Sequence, residues 1–363
     1  MCSQNITITD IPTIDQLPVN AIHRVFRDSE GYMWYGTVNG LCRDDGYHVK
    51  VFRSDIETPG LLEDNLVECI AEDKKGNIWF GTDKGVYILD KSDYSVHPMD
   101  RERLKNIPVM YLYATSDGYM WLSYRSILAK YDINGQLVKE YPLRNKYGRT
   151  TISGFCESRN HEIIISVWNG RVYHLDKEKD EFVPYPDKMR RQNPTVMVQD
   201  NEQDYFWLAT WGDGVVRFDP SAPEDSMFVY SEIPVNAAGE EDGVILSLVQ
   251  DDKLGYIWLT TGHDFMSLQI QPDKTLKQLK FQTGLLPVNH MLVEVLKGRG
   301  CLWVSAFDRP SFIVHLMDNM TKDYALPALA DRVNRSPAVM ALCDDGDGMM
   351  WMMQERTGLV LYD

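Results

Sequence analysis

Short turns that set an aromatic ring beside an amide, a carboxylate or a guanidinium recur through this sequence. Tyr124 with Arg125, Trp168 with Asn169, Trp211 with Asp213, His263 with Asp264, Phe307 with Asp308 and Arg309, and Glu355 with Arg356 each follow a short apolar run. A ring face next to groups that bond hydroxyls or acids suits stacking on a sugar with hydroxyl or uronate bonding. The competing reading is structural, with the rings filling the centre of the fold as ordinary core. Asn20, Asn65 and Asn289 recur at a second place, just ahead of an apolar run. There an Asn either caps local backbone groups or meets a sugar hydroxyl.

Other chemistries find less support. Asp-x-x-Gly turns suggest calcium, but a calcium site needs six to eight oxygens and each turn offers few. The eight histidines are scattered, with no HExxH and no close pair. The six cysteines (Cys2, Cys42, Cys69, Cys156, Cys301 and Cys343) show no CxxC and no zinc spacing. Five of them sit in or beside apolar runs, which fits buried free thiols. No catalytic constellation, metal site or cofactor is expected.

The elements that carry these turns repeat. Trp34, Trp79, Trp121, Trp207, Trp258, Trp303 and Trp351 close similar phrases 42 to 51 residues apart, with one double gap in which Ile164 takes the indole position. That makes eight units. Each begins with an apolar run such as "AIHRVF" or "LVECIA". A polar turn follows, with Asp three residues before Gly: Asp28 and Gly31, Asp73 and Gly76, Asp252 and Gly255, Asp345 and Gly348. In the third unit the turn tightens to Asp117-Gly118, and in the seventh Lys297 stands in for the Asp. Then come "WYGT", "WFGT", "WLAT" or "WVSA", a second turn, a third strand such as "GVYILD", and in most units a fourth, polar-alternating strand.

The Asp accepts backbone N–H groups and the Gly takes positive φ cheaply, so the turn is tight. The small residue two after the Trp leaves room for a neighbouring sheet, which the indole then covers. Burying an indole removes about 150–250 Å² from water, worth roughly 4–6 kcal/mol as an upper figure. A four-stranded sheet with two apolar faces cannot stand alone but can stack between two others. The expected fold is therefore all-β: a β-propeller of four-stranded antiparallel blades. Gly-bounded hairpins argue against a parallel solenoid.

Two closures fit. The alternating "NITITDIP" (residues 5–12) reads as an orphan outer strand that locks a ring. Either all eight units form one ring, or residues 1–335 form seven blades and 336–363 are the start of a second ring. With 44% hydrophobic residues the chain can bury a large core, and its net charge of −16 disfavours a nucleic-acid partner. No apolar run approaches the roughly 20 residues that span a bilayer. No signal peptide is visible, so the chain reads as cytosolic or trimmed at its start, and "GLVLYD" stops in what reads as mid-strand.

"DSEGYMWYGTVNGLCRDDGYHVKVF" and "EDKKGNIWFGTDKGVYILD" resemble the regulator-propeller repeats of Bacteroidetes hybrid two-component sensors. The resemblance runs over almost the whole chain and is weakest in units four and seven. It implies two seven-bladed propellers in the periplasm, and so favours seven blades here. It also implies that a β-sandwich, a membrane helix, a histidine kinase, a receiver and a DNA-binding module follow. Any kinase activity would lie outside these residues, and the membrane would be reached only through that downstream helix.

The leading expectation is thus a non-enzymatic, periplasmic sensor segment that binds a glycan-derived oligosaccharide and signals to gene regulation, with a homodimer of the full-length protein left open. Its tentative ligand residues are Tyr124, Arg125, Trp168, Asn169, Trp211, Asp213, His263, Asp264, Phe307, Arg309 and Arg356. The alternatives are a propeller glycosidase or polysaccharide lyase, and a protein-docking scaffold.

Overall fold

A computed structural model describes residues 6–145, 148–186, 189, 193–235, 239–251, 255–261, 264–279, 292–298, 300–306, 310–316, 339–344, 350–354 and 358–362. The chain divides into two compact units, Met1–Asp318 and Asn319–Asp363.

The first unit is a seven-bladed β-propeller of four-stranded antiparallel sheets. Blade 1 runs Ile22–Arg27, Met33–Thr37, Gly40–Asp44 and Val49–Phe52, and each hairpin follows the phrase seen in the sequence. The innermost strands of blades 2 to 7 are Val67–Glu72, Tyr111–Ala114, Ile152–Glu157, Pro194–Gln199, Ile245–Gln250 and Leu292–Lys297. Blade 7 takes its outer strand from the other end of the chain. Ile6–Asp10 pairs antiparallel with Phe312–Leu316, from Ile6 opposite Leu316 to Asp10 opposite Phe312. The orphan strand therefore closes unit seven, and the eight-bladed alternative does not hold.

Seven hydrophobic clusters show why the sheets need one another. Trp34 of blade 1 packs with Val67, Ile78 and Phe80 of blade 2. Trp79 packs with Met120 and Tyr131 of blade 3, and Trp121 with Ile152 and Ile165 of blade 4. Ile164 meets Phe206 and Phe218, Trp207 meets Ile257 and Leu259, and Trp258 meets Val304 and Phe312. Trp303 of blade 7 completes the circle against Met33 and Tyr35 of blade 1, its ring 6.3 Å from that of Tyr35. The small residue two after each Trp marks where the next blade presses in. A Cβ on Gly36 would lie 2.9 Å from the Val67 carbonyl, and one on Gly81 2.6 Å from the Val109 carbonyl.

The indole anchor is not uniform. Trp34, Trp79, Trp121, Trp207 and Trp258 are essentially fully buried, but Trp303 is only half-buried. Asp28, Asp73 and Asp200 each accept the indole N–H of their own blade at 2.9 Å through one carboxylate oxygen. Their other oxygen takes two backbone N–H groups of the turn. In blade 5 the Asp stands seven residues before the Trp rather than six, in a turn without Gly, which hid it from the Asp-x-x-Gly pattern. In blade 3 the equivalent backbone position is Thr115, whose N–H donates to the Tyr119 carbonyl, and not Asp117. The Trp121 indole N–H is accordingly without a partner among the described residues. In blade 6 the same backbone position is Asp251, whose N–H donates to Tyr256; Asp252 lies outside the described residues. In blade 7 it is Gly298, next to the expected Lys297.

A strap between blades was not foreseen. In blades 2, 4, 5 and 6 the residue just before the turn position reaches back to the preceding blade. Glu72 accepts the Ser29 backbone N–H at 2.7 Å and its hydroxyl at 2.8 Å. Gln199 accepts the Arg159 N–H and Gln250 the Asn201 N–H, both at 2.8 Å. Glu157 accepts the Ser116 N–H at 2.7 Å. Lys91, nearly buried, adds bonds to Glu72 at 2.7 Å and Asp28 at 3.3 Å.

The second unit shows three strands, Val339–Asp344, Met350–Gln354 and Gly358–Tyr362, paired antiparallel in that order. Its Trp351 and Met353 are 37% and 52% exposed.

Candidate functional site: the turn face of the ring

The turns between second and third strands lie on the same face as the segments leading into the inner strands, because backbone bonds join the two. Gly40 N–H donates to Asn65 at 2.7 Å, Trp168 N–H to Thr151 at 3.0 Å, Trp211 N–H to Asn193 at 2.8 Å, and Gly212 N–H to Gly243 at 2.8 Å. A Thr at the end of the second strand shapes several of these turns. Thr37, Thr210 and Thr261 donate their hydroxyls to the carbonyls of Gly40, Gly214 and Asp264. The same two hydroxyls of Thr210 and Thr261 accept the N–H groups of Asp213 and Asp264.

On this frame the expected residues separate. Trp168 and Trp211, from neighbouring blades, meet edge to face with ring centres 5.6 Å apart and planes at 85°. Trp168 is half-buried, while Trp211 stands 46% exposed. Their carbonyls are pinned at 2.6 Å by the Thr150 hydroxyl and the Asn193 amide. Asn169 is exposed beside them, in a left-handed conformation with φ 50°. Asp213 and Asp264 are buried within their own turns.

Tyr124 is buried in blade 3 and gives its hydroxyl to Glu140, which also binds Arg103. Burial, then the Glu140 carboxylate, pushes its pKa well above the ordinary phenol value. Arg125 is exposed at the tip of the turn with φ 53°. His263, Phe307, Asp308, Arg309, Glu355 and Arg356 lie outside the described residues. Asn65 follows its structural reading: it exchanges two hydrogen bonds with the Ser54 backbone, at 2.8 and 3.0 Å. Asn20 is exposed, and Asn289 lies outside the described residues.

The inner strands carry a feature that the sequence reading missed. In blades 1, 2, 4, 5, 6 and 7 the register slips right after the first paired residue, leaving an extra residue: His23, Glu68, Ser153, Thr195, Leu246 and Val293. Such bulges re-aim a side chain and end regular pairing. Here several of them join blade to blade. The carbonyls of Glu68 and Ser153 accept from Arg24 at 2.8 Å and Tyr111 at 3.2 Å, and the Thr195 hydroxyl donates to Ile245 at 2.7 Å. His23 sits 3.7 Å from the Glu68 carboxylate and holds its pKa below the ordinary range. The sequence signal was a break in alternation, a polar residue directly after the first apolar one, as in "IHRV" and "VECI". Among the described residues no cluster of three or more His, Cys, Asp or Glu side chains is placed to hold a metal ion.

A closed ring of indole-pinned, four-stranded blades defines a seven-bladed propeller. More particularly, residues 16–39 and 61–84 match the family model described as two component regulator propeller. No curated protein sequence matches the chain. Among solved structures it is similar to the extracellular domain of the hybrid two-component system BT4673 from B. thetaiotaomicron, at 18% identity and TM-score 0.67 over 95% of this chain and 46% of that one. It is also similar to the extracellular domain of the hybrid two-component system BT3049 from B. thetaiotaomicron, at 15% identity and TM-score 0.65 over 99% of this chain and 48% of that one. Virginiamycin B lyase from Staphylococcus aureus matches at 11% identity and TM-score 0.65, over 86% and 99%. At these identities the likeness is one of fold. The chain spans less than half the length of those sensor domains. Among the described residues no helix is long and apolar enough to cross a membrane.

Proposed function

We propose that this chain is the ligand-sensing segment of an extracytoplasmic two-component sensor, and that its ligand is a glycan-derived oligosaccharide bound on the turn face of blades 3 to 5. One observation carries the reading: Trp211 stands 46% exposed on the turn face, with Trp168 set edge-on against it. An indole held this way offers a flat apolar platform to the C–H face of a sugar, while Asn169, next to Trp168 in the chain and exposed, supplies a hydrogen-bond donor, and Arg125 of the blade 3 turn a second. Regulator-propeller repeats and the similarity to extracellular sensor domains support the sensor role and a periplasmic site. Asp213 and Asp264 shape their turns from inside. Residues 1–335 then serve as the closed ring and 336–363 as the first strands of a second one.

The segment itself would bind without turnover. A thermal-shift screen of the full chain against an oligosaccharide panel tests this. A ligand at 100 times its dissociation constant adds about 2.7 kcal/mol to stability. The expected result is one responsive glycan, no product released from it, and a response lost in Trp211→Ala. A response unchanged in Trp211→Ala, or cleavage of the glycan, refutes the proposal.

A further inference from the structure

Charge is segregated around the turn face. The whole chain holds 37 Lys and Arg against 53 Asp and Glu. The segments 101–110, 125–126, 143–151 and 168–171, which serve blades 2 to 4, reverse that balance with eight Lys or Arg and one Glu. The segment leading into blade 6, 231–243, has four Asp or Glu and no Lys or Arg. Backbone bonds tie the first of the basic segments to the blade 2 turn: Asn106 N–H donates to Lys84 and Val109 N–H to Thr82, both at 3.2 Å. Arg101 is engaged with Glu63 at 3.1 Å, and Arg103 with Asp100 and Glu140 at 3.3 and 3.4 Å. Arg171 is engaged as well. Lys105, Arg125 and Arg144 are exposed and make no ion pair among the described residues.

One loop joins these charges to the indole pair. The Leu143 N–H donates to the Ser126 carbonyl, beside Arg125, at 2.8 Å. The chain then passes through a hairpin whose register sets Arg144 opposite Arg149 and Asn145 opposite Gly148. The Tyr173 hydroxyl of blade 4 donates to the Arg144 carbonyl at 3.1 Å. The loop ends at Thr150 and Thr151, whose hydroxyl and carbonyl respectively fix the Trp168 backbone at 2.6 and 3.0 Å. Trp168 in turn meets Trp211. Arg125, Arg144, Trp168 and Trp211 therefore follow one another along the turn face from blade 3 to blade 5. Like charges directly opposite each other destabilise a strand pair, so the Arg144 and Arg149 register is unfavourable in the free chain and less so beside an anion.

The planar fork of an arginine can bond two oxygens of one carboxylate or sulfate at once. Resting on the reading of this face as a glycan site, we propose that the oligosaccharide is acidic. One sugar ring stacks at Trp211 and Trp168, and the carboxylate or sulfate groups of the adjoining sugars meet Arg144 and Arg125, with Lys105 beyond them at blade 2. The acidic segment 231–243 sets the direction, since it repels such groups from the blade 6 side. A net charge of −16 opposes an anionic membrane or a nucleic acid, which would face the whole acidic chain; a short acidic oligosaccharide covers only the basic sector.

Isothermal titration of the full chain at about 50 and 200 mM salt tests this. The probes are tetrasaccharides of polygalacturonate, hyaluronan and chondroitin sulfate, their uncharged counterparts (carboxyl-reduced and, for the last, desulfated), and a panel of neutral oligosaccharides. At least one acidic tetrasaccharide is expected to bind about tenfold or more tightly than its uncharged counterpart. Binding that survives carboxyl reduction of chondroitin sulfate assigns the anion to sulfate, and binding that is lost assigns it to carboxylate; either supports the proposal. Arg144→Gln and Arg125→Gln should each weaken the acidic ligand about threefold or more and flatten its salt dependence. Lys277→Gln, which removes an exposed charge from the outer strand of blade 6, should leave both unchanged. Binding of a neutral glycan that is lost in Trp211→Ala, with no acidic ligand tighter, overturns the acidic assignment and leaves the sensor reading standing. No binding of any oligosaccharide, acidic or neutral, overturns both. Unchanged constants in folded Arg144→Gln and Arg125→Gln also overturn the proposal; should either fail to fold, the comparison of acidic with uncharged ligands decides. Binding to phosphatidylglycerol vesicles that Trp211→Ala leaves intact, without binding of any acidic tetrasaccharide, would assign the basic sector to a membrane surface and overturn it.

Discussion

Replacing Asp73 with alanine removes the carboxylate that joins turn, indole and blade interface. One oxygen accepts the Trp79 indole N–H at 2.9 Å; the other accepts the backbone N–H groups of Lys75 at 2.8 Å and Asn77 at 2.9 Å. Trp79 is fully buried against blade 3, so water cannot replace the lost acceptor. An orphaned buried donor costs about 1–3 kcal/mol, and a turn that loses its side-chain acceptor about 1 kcal/mol more. Asp73→Ala should therefore destabilise the ring by about 2–4 kcal/mol. Asp73→Asn, which keeps one acceptor oxygen, should cost less. Blade 3 supplies the converse experiment. Thr115 occupies the equivalent position and the Trp121 indole N–H has no partner among the described residues. Thr115→Asp should restore the acceptor and stabilise by about 1 kcal/mol. Urea unfolding followed by tryptophan fluorescence measures all three. A loss below about 0.5 kcal/mol in Asp73→Ala, where surface changes usually fall, refutes the reasoning. So would a destabilised Thr115→Asp.

Three further outcomes are expected. Glu72→Ala removes the acceptor of the Ser29 N–H and hydroxyl and one partner of Lys91; it should cost about 1.5–3 kcal/mol in the same urea assay. Gly81→Ala would place a Cβ 2.5 Å from the Cys69 sulfur and 2.6 Å from the Val109 carbonyl, forcing blades 2 and 3 apart at about 1–3 kcal/mol, seen as a lower urea midpoint. Burial pushes the thiols of Cys42 and Cys69 up to about 12 and that of Cys156 to about 11, from an ordinary 9.0. Iodoacetamide at pH 8, read by peptide mass spectrometry, should leave these three unlabelled in the folded chain and label them in urea. Because the folded thiols stay protonated where unfolded ones ionise, stability should decline as pH rises from about 9 towards 12.

Legibility in the sequence followed the range of the interaction. The hairpins could be read because Asp–Gly turns and alternating strands are set by neighbours a few residues apart, as in Asp73 to Trp79. The Gly or small residue two after each Trp pointed correctly to a close blade contact. The turn face was legible as a set of positions, but the fate of each side chain was not. Trp168 and Trp211 share a place in the repeat, four residues after the indole position, yet Trp168 is half-buried and Trp211 stands 46% exposed. What separates them is the neighbouring blade each turn meets, which the local phrase does not fix. The straps from Glu72, Gln199 and Gln250 escaped notice because each donor sits about one repeat away, in the preceding blade.

The amino-acid sequence by itself determined the unit: a four-stranded sheet with two apolar faces, an indole and a tight turn, unable to persist alone. Only the tertiary structure decided how many units close. Ile6–Asp10 pairs with Phe312–Leu316 across nearly the whole chain, and Trp303 packs on Tyr35. Closure depends on the small angle each sheet adds to the last. That angle arises from side-chain packing between blades and has no expression in the spacing of any single repeat.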